Sequence, residues 1–105
     1  MYYIYMLRCR DNSIYTGITT DIDRRFKEHL ERKWSKSKYT AVHEVVKMEA
    51  VWETEDKKSA SKLEYHIKKL TKTQKEELIK YNHMKKLLSS KLDVDLYSRK
   101  EVVKV

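Results

Sequence analysis

The sequence predicts an α+β fold: a small three-stranded, mainly antiparallel sheet flanked by helices, in the order strand-strand-helix-strand-helix-helix. Three observations predict it. Residues 2–9 and 13–19 are aromatic and β-branched stretches separated by turn residues. Ile22, Phe26 and Leu30 then recur at helical spacing. A third alternating stretch near 45–52 precedes two further helical patterns, near 57–70 and 74–90.

The first strand places Tyr3, Tyr5, Leu7 and Cys9 on one face and Tyr2, Ile4 and Met6 on the other. Both faces are apolar, so a strand covered on both sides is expected. Arg10-Asp11-Asn12-Ser13 is turn chemistry, which makes a hairpin with the second strand. Gly17 is the only glycine in the chain. Inside a strand pattern it marks a bulge or a close approach to the backbone. Tyr15 shares its strand face, so the glycine leaves room beside that phenol.

A helix over 21–32 follows, capped by Thr20 or Asp21 with Asp23 in its first turn. Arg25 and His29 stand one above the other beside its apolar stripe. Taken alone they suit a surface arginine and a half-buried histidine. Residues 32–40 interleave basic and aromatic side chains, among them Trp34, Lys38 and Tyr39. Such a loop can grip a nucleic-acid backbone and stack bases. It equally suits a solvated loop with Trp34 tucked onto the core. His43 is either a surface residue or a neighbour of a site.

In the third strand Val46, Met48, Ala50 and Trp52 alternate against Lys47, Glu49 and Val51. Asp56 is placed to cap the next helix, whose stripe is Ala60, Leu63, Ile67 and Leu70. Glu64 lies on the flank of that stripe, where it can pair with Lys68 for a few tenths of a kcal/mol. His66 is expected to face solvent. Thr73 to Glu76 reads as a capping box opening a third helix with stripe Leu78, Tyr81, Met84 and Leu88. Residues 91–105 alternate as Leu92, Val94 and Leu96 with aspartates between, which suits a strand, a partner-binding arm or a frayed tail.

At 105 residues the chain is one domain, burying roughly two-thirds of its unfolded surface. The single cysteine, Cys9, excludes an internal disulfide and fits a reducing compartment, so the cytoplasm is the expected location. On an apolar strand face Cys9 reads as core rather than nucleophile. The apolar N-terminus is too short to span a membrane and lacks a signal-peptide pattern. The net charge is +8, and residues 1–56 are neutral, with ten basic and ten acidic side chains. The excess lies wholly in residues 57–105, where fourteen basic residues face six acidic ones. A one-sided excess suits a polyanion surface, nucleic acid before anionic membrane. No basic helix carries the strong apolar face that membrane binding needs. There is no repeat, zinc spacing, phosphate-binding glycine loop or serine elbow.

The combination resembles the GIY-YIG endonuclease domain, in particular its small single-domain members of the UPF0213 type. Tyr3-Ile4-Tyr5 stands at the family's first motif, with Tyr3 in place of its first glycine and Tyr5 at its closing tyrosine. Tyr15-Thr16-Gly17 stands at the second motif. Arg25 and His29 follow at the family's spacing, and Glu64, within Leu63 to Leu70, matches its metal-binding carboxylate. The resemblance covers about residues 2–80, so the nuclease-like domain is expected over 1–90 with 91–105 as an extension.

The resemblance implies metal-dependent hydrolysis of DNA phosphodiester bonds, in DNA repair or processing. Tyr15 would be general base, although an ordinary tyrosine titrates near ~10 and needs help from positive charge or a metal-bound water. Arg25 would stabilise charge on the phosphoryl oxygens. Tyr5 would orient water or phosphate, and His29 would accept a proton or contact phosphate. Glu64 would hold one Mg²⁺ or Mn²⁺. Lys38, Tyr39, Lys68 and Lys69 are the expected nucleic-acid contacts, and a protein partner or a homodimer could supply targeting. Two rival classes stand beside this one. One is a nucleic-acid-binding module of the same fold without catalysis. The other is a protein-interaction domain whose basic helices meet an acidic partner.

Overall fold

The structure, a computed structural model, describes residues 1–31 and 43–102. The Tyr2–Cys9 strand (β1) pairs antiparallel with Ile14–Thr19 (β2) through the expected hairpin, Tyr5 lying opposite Gly17. The Ile22–Glu31 helix (α1) follows, and Val45–Thr54 (β3) returns on the other side of β1. The helices Lys57–Lys68 (α2), Lys72–Tyr81 (α3) and Met84–Leu88 (α4) come next. A 3₁₀ turn at Val94–Leu96 leads into Ser98–Lys100 (β4), antiparallel to β3. The sheet order is β2-β1-β3-β4, so the sheet has four strands where the sequence predicts three.

Both faces of β1 are covered, as its unbroken apolar run requires. Ile4 and Met6 face a core built with Ala50 and Trp52 and closed by Ala60, Leu63 and Ile67 of α2. Leu78, Met84, Leu88, Leu92 and Tyr97 extend that core. Tyr5, Leu7 and Cys9 face the opposite way, with Val45, Met48 and Val51, under Ile22 and Phe26 of α1. The sheet is therefore a middle layer, with α1 on one side and α2 on the other. Burial raises the pKa of the Cys9 thiol, consistent with a core role.

Four expectations need correction. Leu30 is 42% exposed, so the α1 stripe stops at Phe26. The simple alternation of β3 fails because its register against β1 slips twice, leaving Glu49 and Val46 without a β1 partner. Each extra residue reverses the facing. Met48 consequently packs with Tyr5 rather than with Ala50 and Trp52, and Val46 turns to solvent. The capping box opening α3 is Thr71 with Gln74, two residues earlier than expected. The predicted 74–90 helix is also broken: α3 ends at Asn82, whose left-handed backbone (φ 54°) stops the helix, and Tyr81 points outward.

The C-terminal residues are stitched into the domain by side chains. Arg99 donates to the Leu78 and Ile79 carbonyls in the last turn of α3 at 3.2 and 3.0 Å, the former also accepting from the Asn82 amide. The same guanidinium lies 4.9 Å from the centre of a Trp52 ring. Tyr97 donates its hydroxyl to the Ser59 carbonyl at 2.7 Å. Among the described residues, no helix is long and apolar enough to cross a membrane.

Candidate active site

The hairpin register and the α1 periodicity carry four polar side chains to one place. Tyr5 projects over Gly17 on the neighbouring strand. A Cβ at position 17 would lie 2.5 Å from the Tyr5 hydroxyl oxygen and 3.0 Å from the Tyr15 ring. The φ of Gly17 is not positive, so glycine is needed there for space rather than for backbone conformation. The Tyr5 and Tyr15 rings lie 6.2 Å apart, and the His29 ring lies 5.6 and 5.2 Å from them. Asp21 accepts from the Arg24 amide at 3.1 Å and so caps α1, fixing the rotation that turns His29 inward.

Burial separates the two phenols, Tyr5 being sealed and Tyr15 half-buried. Tyr5 is buried, and its hydroxyl is 2.8 Å from His29 Nε2. Burial, then the neighbouring Tyr15, raises its pKa well above the usual tyrosine value, against a smaller lowering by Arg25. Glu64 adds a further upward push, so its carboxylate acts on the same phenol although α2 packs on the opposite face of the sheet. Burial and then the Arg25 charge depress His29 to about 4. At neutral pH Tyr5 thus keeps its proton and His29 is neutral. In their shared hydrogen bond the protonated phenol can donate to the neutral imidazole.

Arg25 is half-buried and pairs with Glu28 at 3.2 Å, a partner the sequence reading overlooked although i,i+3 spacing signals it. Glu64 is half-buried, its side chain 23% exposed, and pairs with Lys68 at 3.4 Å. Lys68 and Lys69 diverge: Lys68 turns towards Glu64, whereas Lys69 stands 5.3 Å from the centre of the exposed Tyr65 ring. His66 is half-buried, edge-on to Tyr65, rather than turned wholly to solvent. His43 sits at the hairpin turn, 2.7 Å from Asp11, whose pKa falls to about 2 mainly through hydrogen bonds from Ser13. Lys38, Tyr39 and Trp34 lie outside the described residues.

Residues 1–77 match the GIY-YIG catalytic domain family, and the chain belongs to it. Its relatives carry the UPF0213 designation. A UPF0213 protein of Fusobacterium nucleatum subsp. nucleatum is 49% identical over 78 residues, covering 74% of this chain and 76% of its own. One from Clostridium perfringens is 40% identical over 85 residues, covering 81% and 89%. A solution NMR structure of a UPF0213 protein from Bacillus halodurans is 36% identical and covers 84% of this chain and 98% of its own, with a TM-score of 0.46. Family membership identifies the chain with a nuclease family, whereas the UPF0213 designation specifies no activity.

Among the described residues no group of three His, Cys, Asp or Glu side chains gathers to hold an ion. A single partly exposed carboxylate still suits a hydrated Mg²⁺ or Mn²⁺, which keeps several waters and takes one or two carboxylates together with substrate phosphates. Glu64 offers one such carboxylate, close enough to influence Tyr5 electrostatically, and Lys68 is its resting counter-charge.

Proposed function

We propose that this chain is a metal-dependent endonuclease that hydrolyses phosphodiester bonds of DNA, acting in DNA repair or processing. The observation that carries the reading is the convergence of Tyr5, Tyr15, Arg25 and His29 around the space left by Gly17, with Glu64 acting on the same phenol.

Of the two phenols, Tyr15 is the one that reaches solvent, so it meets the attacking water and serves as general base. Tyr5 is sealed and keeps its proton, so it fixes His29 and the floor of the site by hydrogen bonding. Arg25 exchanges Glu28 for the substrate and stabilises negative charge growing on the phosphoryl oxygens. His29, neutral at working pH, is bonded to Tyr5 through Nε2, so it takes up a proton only together with that phenol. Glu64 holds the divalent ion, which when bound supplies Lewis-acid stabilisation of the leaving oxygen. The cytoplasm remains the proposed location, and a protein partner or homodimer the proposed source of targeting.

One observation favours a second reading, a nucleic-acid-binding module without hydrolysis. Glu64 and Arg25 each already hold an internal counter-ion, Lys68 and Glu28. A panel of duplex, branched and flapped DNA and RNA incubated with Mg²⁺ or Mn²⁺ separates the two. The nuclease cleaves at least one member and Glu64→Gln abolishes that cleavage, whereas the module binds without cleaving.

A further inference from the structure

The lysines at the corner between α2 and α3 differ from the rest of the basic surface. Lys68 closes α2, Lys72 opens α3, and Lys75 follows three residues later on the same helix face. Lys68 and Lys72 are 51% and 49% exposed, and each has a carboxylate within 4 Å, Glu64 at 3.4 Å and Glu76 at 3.8 Å. Lys75 is half-buried, and no hydrogen-bond or ion-pair partner holds it among the described residues. Besides burial, the influences on it are the like charges of Lys72 and Lys68, and together these lower its pKa. Other described lysines either hold a carboxylate, as Lys86 holds Glu77 at 2.8 Å and Lys100 holds Glu53 at 3.6 Å, or stand exposed, as Lys85 does.

The three ammonium groups also have a direction. Lys68 touches the carboxylate of Glu64. Lys72 donates to the carbonyl of Asn12 in the β1–β2 turn. The positive track therefore runs from Glu64 towards the hairpin turn, alongside β2, the outer strand of the sheet. Holding a half-buried ammonium beside two others costs free energy in the absence of a ligand, and an anion seated among them relieves that cost. Of the hydrophobic residues of α2, Ala60, Leu63 and Ile67 are buried in the core and Tyr65 alone is exposed, so the corner offers charge without an apolar stripe to enter a membrane.

We infer that Lys68, Lys72 and Lys75 form a receptor for successive phosphates of one nucleic-acid strand, guiding that strand along the β2 edge to Glu64. The inference rests on the nuclease reading for its orientation but concerns binding, so it is tested without metal. Fluorescence anisotropy in EDTA, over a salt series, gives the dependence of log affinity on log salt for a duplex and for a single strand. Each lost phosphate contact reduces the magnitude of that slope by about 0.9 on duplex or about 0.7 on a single strand. Lys75→Gln is expected to produce that loss equally for different sequences, and Lys72→Gln/Lys75→Gln about twice as much. Lys75→Arg keeps the charge and is expected to keep the slope, which separates lost contact from lost fold. Lys85→Gln, at an exposed position of α4, removes the same charge and is expected to leave the slope unchanged.

Equal slope losses in Lys75→Gln and Lys85→Gln would reduce the corner to a diffuse positive field and overturn the inference. So would loss of binding to phosphatidylserine–phosphatidylcholine vesicles with DNA binding intact, which would assign the corner to a membrane surface. The predicted slopes in a protein that cleaves nothing would support the receptor and sink the nuclease reading alone.

Discussion

Replacing Gly17 by alanine adds one methyl group to the most tightly restricted point of the candidate site. Its Cβ would stand 2.5 Å from the Tyr5 hydroxyl oxygen, 2.7 Å from Tyr5 Cζ and 3.0 Å from the Tyr15 ring. The two Tyr5 atoms are not the loose end of a flexible side chain, because Tyr5 is buried and bonded to His29 at 2.8 Å. Overpacking of this kind costs about 1–3 kcal/mol. Moving the phenol also breaks a buried hydrogen bond, worth about 1 kcal/mol more. Gly17→Ala should therefore lower unfolding stability by about 2–4 kcal/mol, read as a shift of the urea midpoint at constant slope. Tyr5→Phe removes the atom that clashes first but leaves His29 Nε2 buried without its partner. Its own cost is about 1–3 kcal/mol. The double variant should then lose clearly less than the sum of the two, since one change removes part of the other's clash. A Gly17→Ala protein within about 0.5 kcal/mol of wild type, the range of an ordinary surface change, would refute the packing argument.

Three further expectations follow from neighbouring parts of the structure. His29 titrates near 4 when folded and near 6.5 when unfolded, so between those values the unfolded chain binds more protons and stability falls as pH drops. That loss amounts to roughly 3 kcal/mol from neutrality to pH 4. His29→Gln should flatten this limb of the stability–pH curve, and an unchanged limb would refute the assignment. Arg99→Ala should cost about 2–4 kcal/mol, because it removes two charged donors from the α3 carbonyls and the cation over Trp52. An unmoved urea midpoint would show the C-terminal strand to be merely apposed. Tyr15→Phe should slow cleavage by about 10²–10⁴-fold with little change in metal-free DNA affinity, as loss of a general base requires, and equal rates would remove Tyr15 from that role.

The parts legible in the sequence are those where one period dominates. Alternation in Tyr2–Cys9 assigned both faces of β1, and helical spacing set His29 beside the Ile22–Phe26 stripe, which is how Tyr5 and His29 come to meet. Gly17 is legible as a bulge or a close approach; the unbroken β1–β2 register makes it a close approach, to Tyr5 more tightly than to Tyr15. Periodicity failed where an extra residue intervened. Glu49 looks like an ordinary outward position, yet it bulges from β3 and its carboxylate binds Arg8 at 2.8 Å. Arg8 also reaches Glu76 on α3, a link between residues 68 positions apart that local pattern does not contain. β4 was hidden because Ser98-Arg99-Lys100 has no apolar alternation and is held by backbone pairing and by Arg99. Asn82 ends α3 through a left-handed backbone that many asparagines never adopt. The reach of Glu64 to Tyr5 is a tertiary matter, since a flanking acid on α2 reads equally as a partner for Lys68. The local pattern does not single out Lys72 and Lys75, because their significance depends on Lys68 acting on Lys75 across a helix junction.

The central claim is that Glu64 and the tyrosine–histidine cluster form one hydrolytic site. The most direct test incubates wild type and Glu64→Gln with the nucleic-acid panel in Mg²⁺ or Mn²⁺, with binding measured in parallel in EDTA. The account predicts metal-dependent nicking by the wild type, none by Glu64→Gln, and comparable metal-free binding by both. Cleavage by Glu64→Gln at the wild-type rate would contradict it.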